Sequence, residues 1–263
     1  MPDLLVTPLG LTPYADALAL MRAAAAARVA GALDEDLLLL VEHPPVLTLG
    51  RRAADNRLLA APALLAARGV ELHEVERGGG STFHGPGQLV GYPIVDLKRH
   101  RRDLHWYLRQ VEQALIDAVA EFGVAAGRNP PYTGVWTDPE ASGGSSGVPL
   151  GTPGTGGPPL RGPALRKLAS IGVHARDWVT SHGFALNVTP EPLGYFDLIV
   201  PCGIDGVEMT AVAREAPAAR AGEVTVARAA DAVTGALARG FGLRPVPVGA
   251  AELRARLAVN SGR

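Results

Sequence analysis

One cysteine, two lysines and no excess of either charge characterise this 263-residue chain. A single thiol forms no intrachain disulfide and supplies no Cys-rich zinc site. Lys+Arg 25 balance Asp+Glu 26, so a net charge of −1 gives no general field for nucleic acid and leaves room only for local patches. No apolar run approaches the roughly 20 residues that cross a bilayer. Residues 1–9 lack the basic start of a signal peptide, and the Ala-rich run that follows is broken by Arg22 and Arg28. These absences set the expectation of a soluble, reduced, cytoplasmic protein with no nucleic-acid or membrane partner.

What is present is a large apolar fraction, 47%, enough for a full core in one large domain or two small ones. Helical and strand patterns alternate, which predicts an α/β or α+β class. Strands are expected at 4–7, 37–42, 46–49, 70–76, 88–97 and 132–137, with a strand pair at 167–176 and 178–188. Helices are expected at 14–30, 58–67, 223–239 and 252–259. The clearest is 103–122, where Leu104, Leu108, Val111, Leu115, Val119 and Phe122 form one stripe between an Asp103 cap and Gly123. Between 138 and 164, eight of 27 residues are Gly and six are Pro, so that stretch reads as a flexible insertion into one domain.

Three clusters carry chemistry. In Arg77-Gly78-Gly79-Gly80-Ser81-Thr82-Phe83-His84-Gly-Pro-Gly-Gln88, three glycines follow a strand and allow a ligand close to main-chain N–H groups. It is neither a phosphate-binding Walker loop nor a dinucleotide fingerprint, and a structural hairpin remains the alternative. In Arg166-Lys167-Leu-Ala-Ser170-Ile171-Gly172, a lysine opens an apolar strand in a chain where 23 of 25 basic residues are Arg. A buried lysine can give up its proton where arginine cannot; a surface lysine beside a flexible loop is the plain reading. In Pro201-Cys202-Gly203, a tight loop leaves the lone thiol uncrowded, as a nucleophile or as an inert buried Cys. The spacing of His84, His174 and His182 matches no zinc pattern, so no metal is expected.

Together these strings resemble the octanoyl-acyl-carrier-protein:protein N-octanoyltransferases, the lipoyl (octanoyl) transferases of lipoate biosynthesis. The matching pieces are Arg77-Gly-Gly with Thr82-Phe-His84-Gly-Pro-Gly-Gln-Leu, Gly134-Val-Trp136, Lys167-Leu-Ala-Ser-Ile-Gly172, Ser181-His-Gly-Phe-Ala-Leu-Asn187-Val and Pro201-Cys202-Gly203-Ile204. The resemblance implies a single mixed-sheet domain over 1–263, of the lipoate/biotin protein ligase type. It implies transfer of an octanoyl or lipoyl group from an acyl carrier protein thioester to a lysine, the first step of endogenous protein lipoylation. Acceptors would be the lipoyl domains of 2-oxoacid dehydrogenase E2 subunits and the glycine cleavage H protein, and no cofactor is needed. Cys202 would hold the acyl group and Lys167 would lower its pKa. Arg77, Gly78, Gly79, Gly80, Ser81, Thr82, Phe83 and His84, Ser170 to Gly172, and Gly183, Phe184 and Ala185 would line the acyl pocket, with Gly79, Gly80 and Gly172 leaving room for the chain. Backbone N–H groups around Ser170–Gly172 or Cys202–Gly203 would hold the oxyanion, a choice the sequence leaves open.

Two departures stand out: Phe83 occupies a position where the family usually has Tyr, and the 138–164 insertion is long. The basic run Lys98-Arg99-His100-Arg101-Arg102 reads either as a docking face for acidic carrier or lipoyl domains or as a solvated turn. Rival readings are an ATP-dependent lipoate–protein ligase, a non-enzymatic acyl- or biotinyl-domain-binding module, and a Cys hydrolase.

Overall fold

A computed structural model describes residues 1–138 and 165–260. Apart from Asp138, the expected 138–164 insertion lies outside the described residues. The first half runs β1 (Asp3–Leu11), α1 (Tyr14–Val29), β2 (Asp36–Glu42), β3 (Val46–Leu49), α2 (Pro62–Ala67), β4 (Glu71–Glu74), β5 (Thr82–His84), β6 (Gln88–Ile94) and α3 (Leu104–Ala120). The second half runs β7 (Ala126–Asn129), β8 (Tyr132–Thr137), β9 (Arg166–Arg176), β10 (Val179–Asn187), β11 (Glu208–Met209), α4 (Val212–Glu215), α5 (Val226–Phe241), β12 (Arg244–Pro247) and α6 (Ala250–Asn260).

Nine strands make one mixed sheet in the order β12-β1-β2-β6-β10-β9-β8-β7, with β11 beside β9. The β12–β1–β2 edge is parallel, and the pairs from β2 through β7 are antiparallel. The continuous apolar run of β2 fits its place inside the sheet, where both faces are covered. Helices α1 and α6 pack over one face through Met21, Leu37, Leu39, Ile94 and Leu253. Helices α3 and α5 cover the other through Val111, Leu115, Val119, Val233 and Leu237. A small sheet, β4-β3-β5, builds a third core around Leu47, Phe83 and Phe196. Because β8 and β9 pair directly, the chain on both sides of residues 139–164 belongs to the same sheet.

Local chemistry accounts for the element ends. The Asp103 carboxylate accepts from Trp106 N at 3.0 Å and caps α3. Thr225 caps α5 in the same way, and Gly242, at φ 64°, closes it in the left-handed region. Asp177 and Trp178 both take positive φ in the two-residue turn between β9 and β10, the geometry that suits the twist of a hairpin.

Four strands were not expected from the sequence. β5 lies inside the Gly-rich cluster, and β7, β11 and β12 span four residues or fewer. β12 reads Arg-Pro-Val-Pro and is held only by register with β1, a tertiary effect that local propensity does not carry. The helix expected from residue 58 begins at Pro62, because Leu58 instead bridges Ile199.

The basic run after β6 is a turn tied to its own chain. Lys98 meets Asp96 at 3.5 Å, His100 meets Asp36 at 3.1 Å, Arg101 meets Asp103 at 3.3 Å, and Arg99 donates to Asp34 O. These contacts fix the turn, while Arg101 keeps most of its side chain exposed. Asp36 is the centre of a buried network: it also accepts from Arg28 Nε at 3.2 Å and from Asp96 N at 2.9 Å. Replacing Asp36 by Ala leaves the buried Arg28 guanidinium without this partner and should cost about 3–5 kcal/mol in a urea melt. Loss of the exposed Arg256–Glu252 pair should stay within about 0.5 kcal/mol.

Candidate active site

The site forms where three loops meet at the Lys167 end of β9. The 199–204 segment is stitched on both sides: Val200 N donates to Arg57 O at 2.9 Å, Cys202 N to Ser81 O at 2.9 Å, and Ser81 Oγ to Val200 O at 3.1 Å. These bonds hold Cys202 at φ 55°, ψ 19°, a left-handed conformation that is costly for a residue with a Cβ. Gly203 follows at φ 70°, and a Cβ there would meet Asp55 Cβ at 2.9 Å.

Lys167 Nζ donates to Cys202 Sγ at 3.3 Å, and Ser170 Oγ lies 3.7 Å from the same sulfur. Lys167 is 1% exposed. Its ammonium sits 5.2 Å from the centroid of the buried Trp136 ring, within cation–π range. No carboxylate of the described residues pairs with it, and the Cys202 sulfur is its hydrogen-bond partner. Gly134, at φ 141°, packs on the lysine stem: a Cβ there would meet Ala169 O at 2.6 Å and Lys167 Cε at 2.9 Å. Gly134 N is in turn fixed by the fully buried Glu112, which also takes Arg128 Nε at 3.0 Å. Burial pushes the Cys202 thiol up. The Lys167 charge, the Ser170 hydrogen bond and the Arg77 charge outweigh burial and hold it below an ordinary cysteine.

A slot leads away from the sulfur, lined by Arg77, Gly78, Gly79, Thr82 and His84 from the Gly-rich segment. Ser170, Ile171 and Gly172 of β9 and Gly183, Phe184 and Ala185 of β10 complete its walls. Gly172 and Gly183 face each other in register, and each lets backbone approach closely: a Cβ at Gly172 would meet Gly78 O at 2.7 Å, and one at Gly183 would meet Gly91 O. Arg77 spans the loop, donating through Nη2 to Thr48 O at 2.8 Å and Oγ1 at 2.7 Å. Three of the expected lining residues sit elsewhere. The Phe83 ring stacks on Tyr195 at 4.5 Å within the third core, Ser81 Oγ serves the Cys202 loop, and Gly80 packs against Asp55. A Phe there needs no partner for a hydroxyl.

The oxyanion donors expected from the sequence need correcting. Cys202 N and Gly203 N are bonded to Ser81 O and Val200 O, and Ser170–Gly172 is strand interior paired with β10, not a turn. Among the described residues, the N–H groups of Gly79 and Gly80 have no acceptor, and the buried Thr82 Oγ1 has no partner.

Sequence reasoning also missed the inner end of the slot, which is lined by Tyr14, Tyr92 and His182 beside His84. Tyr14 comes from α1 and Tyr92 from β6, and neither belongs to a local motif. A chain of carboxamides sets the His84 tautomer. Asn187 Nδ2 donates to Thr210 O, and Gln88 Nε2 donates to Phe83 O and Asn187 Oδ1. Gln88 Oε1 therefore faces His84 Nδ1 at 2.8 Å, so Nδ1 carries the proton and Nε2 is an acceptor. Burial keeps His84 neutral, its pKa well below the usual value. Burial likewise pushes His43 and His182 down to about 4. His43 Nδ1 donates to Thr12 O at 2.8 Å, so its Nε2 accepts from Tyr92 Oη at 2.9 Å. Among the described residues, no cluster of ligands could hold a metal ion.

The model of the lipoyl protein ligase A/B catalytic domain matches residues 13–238. An octanoyltransferase of Myxococcus xanthus is 44% identical over 215 residues, 82% of this chain and 54% of that longer protein. An octanoyltransferase of Gloeobacter violaceus is 42% identical over 259 residues, covering 98% of each chain. Among solved structures, one described as a bi-partite lipoate protein ligase and its E2 lipoyl domain, from Thermoplasma acidophilum, matches with a TM-score of 0.68. It is 14% identical and covers 98% of this chain and 91% of that one, a likeness of fold.

Two outcomes are expected from this geometry. Alkylation of Cys202 by iodoacetamide should follow a pH profile that inflects below the ~8.5 of a free thiol. Lys167→Met should raise the inflection, and Gly134→Ala should raise it partway by displacing the ammonium; coincident profiles for all three proteins would remove the pair's electrostatic role. The second outcome concerns stability. A histidine whose folded pKa is depressed costs nothing above about pH 6.5 and destabilises progressively as pH falls toward its folded value. Urea midpoints should therefore be flat above pH 6.5 and decline toward pH 4, by about 1.4 kcal/mol per pH unit for each buried histidine. A flat line to pH 5 would mean that these rings titrate normally.

Proposed function

The chain belongs to the lipoyl protein ligase A/B catalytic domain family, and we propose that it moves an octanoyl group from an acyl carrier protein thioester to a lysine of a lipoyl domain, through a thioester on Cys202. The observation that carries this reading is the Lys167–Cys202 contact at 3.3 Å beside a slot walled in part by Ile171, Phe184 and Ala185. The donor thioester is already activated, so the exchange calls on no ATP, and thiol attack on it makes a second thioester of similar energy.

In the first half-reaction the Cys202 thiolate attacks the donor carbonyl. The charge that develops on oxygen meets the N–H group of Gly79 and the Thr82 hydroxyl, both on the slot wall. Collapse breaks the donor C–S bond, and the departing thiolate takes a proton from Lys167. Cys202 is now acylated and uncharged, and Lys167 holds the neutral amine that the second half uses. In the second half, the acceptor amine has lost one proton to solvent. It attacks the acyl carbonyl and sheds a second proton to Lys167. The C–S bond breaks, the amide forms, and the thiolate–ammonium pair is restored. Arginine could pair with the thiolate but could not cycle its proton. Acceptors would be the lipoyl domains of 2-oxoacid dehydrogenase E2 subunits and the glycine cleavage H protein.

Intact mass after mixing with octanoyl-acyl carrier protein should show one added octanoyl group, mapping to Cys202. Cys202→Ala should show none and should not turn over. Lys167→Arg should acylate but transfer at least about a hundredfold more slowly in single turnover. Near wild-type turnover by Cys202→Ala would end the acyl-enzyme reading. Transfer from free octanoate and ATP would favour a ligase instead.

A further inference from the structure

The slot does not end against the apolar core. Beyond Gly172 and Gly183 the same face of β9 and β10 continues to His174 and Ser181, which pair in register. These two residues line a separate groove of about 480 Å³ with Ala25, Ala26, Val29 and Val179. Slot and groove are consecutive stretches of one sheet surface.

A polar wall divides them. On the slot side is His182, 2% exposed, its Nε2 without a hydrogen-bond partner among the described residues. It sits mid-strand at φ 57°, and its N–H points to Met21 Sδ at 3.0 Å. On the groove side is Glu76, whose Oε1 lies 3.7 Å from His182 Nε2. Arg22 of α1 clamps Glu76 with two bonds, Nε to Oε1 at 2.9 Å and Nη2 to Oε2 at 2.6 Å. The carboxylate is ionised, its pKa pushed down to about 2 by the Arg22 hydrogen bonds. An alkyl tail pressed against it would strip water from a charge and return no hydrogen bond.

The wall stands at a telling distance. Ser170, which flanks the sulfur, pairs with Ala185, and Val173 pairs with His182. Three strand steps separate the two pairs, about 10 Å at roughly 3.3 Å per residue. An octanoyl chain has seven C–C bonds of about 1.5 Å, and an all-trans zigzag projects them to about 9 Å. The spacing of the two pairs and the length of the chain thus agree to about 1 Å.

We propose that the Arg22–Glu76 clamp with His182 is the end stop that selects the eight-carbon acyl group, and that the apolar groove behind it is a latent extension for longer chains. This rests on the acyl-transfer reading. The test is single-turnover acylation of Cys202 by octanoyl- and dodecanoyl-acyl carrier protein, expressed as the dodecanoyl/octanoyl rate ratio. Arg22→Ala/Glu76→Ala removes both charges together and should raise the ratio at least tenfold. His182→Asn, a residue that tolerates the left-handed backbone, should raise it independently of the clamp and covers the case in which the double variant does not fold. Adding Ala26→Trp to the double variant fills the groove and should reverse the gain. A ratio unchanged in variants that still acylate with octanoyl overturns the end stop alone, as does a wild type that takes both chains equally. A wild type that is acylated by neither chain overturns the transfer reading and the end stop with it.

Discussion

A buried ammonium facing a single anion governs this structure. Lys167 has the π-face of Trp136 beside it and the Cys202 sulfur 3.3 Å away, and no carboxylate of the described residues shares its charge. A lysine with a carboxylate partner would keep its proton through any change at the sulfur. Here the Cys202 sulfur is the partner that the lysine has among the described residues, so a change at the sulfur bears directly on the lysine. Burying such a pair is costly, and breaking it by deleting one member commonly costs about 3–5 kcal/mol. The surroundings therefore have to hold both partners. Glu112 fixes Gly134, Gly134 leaves space for the lysine stem, and Ser81 and Arg57 clamp the cysteine loop in a backbone conformation that it would not otherwise keep.

The same economy governs the slot. Arg77 is buried against Thr48 and Gly78 with no carboxylate of the described residues paired to it, so it adds positive potential at the Cys202 sulfur while bracing the loop over β9. The polar inner end is neutral at pH 7 because burial holds His43, His84 and His182 uncharged. Positive charge on the slot wall thus gathers at the sulfur, where Lys167 and Arg77 lie, while the histidines stay uncharged.

Much of this was legible in the sequence. The amphipathic spacing of α3 and its Asp103 cap gave the helix to within a few residues, and the strings around Arg77, Lys167 and Cys202 pointed to residues that the fold brings to one slot. What was hidden depends on distance in the chain. Tyr14 and Tyr92 reach the slot from α1 and β6, 78 positions apart, with no local pattern to mark them. Phe83 read as pocket because its neighbours are pocket, yet β5 alternates its faces, sending Thr82 and His84 to the slot and Phe83 to the core. The ties of the basic run after β6 were hidden because Asp34 and Asp36, which meet Arg99 and His100, lie about sixty residues earlier.

One register contact has an evolutionary reach. Thr137 and Arg166 are cross-strand partners, so the chain leaves the sheet at Thr137 and returns beside it, one residue before Lys167. The ladder itself brings the two ends together, and the entropy of closing such a loop grows only with the logarithm of its length. Insertions and deletions between these two positions therefore fall on a hinge already closed by hydrogen bonds. A change of length between these two positions would leave the Thr137–Arg166 pairing, and with it the position of Lys167, in place.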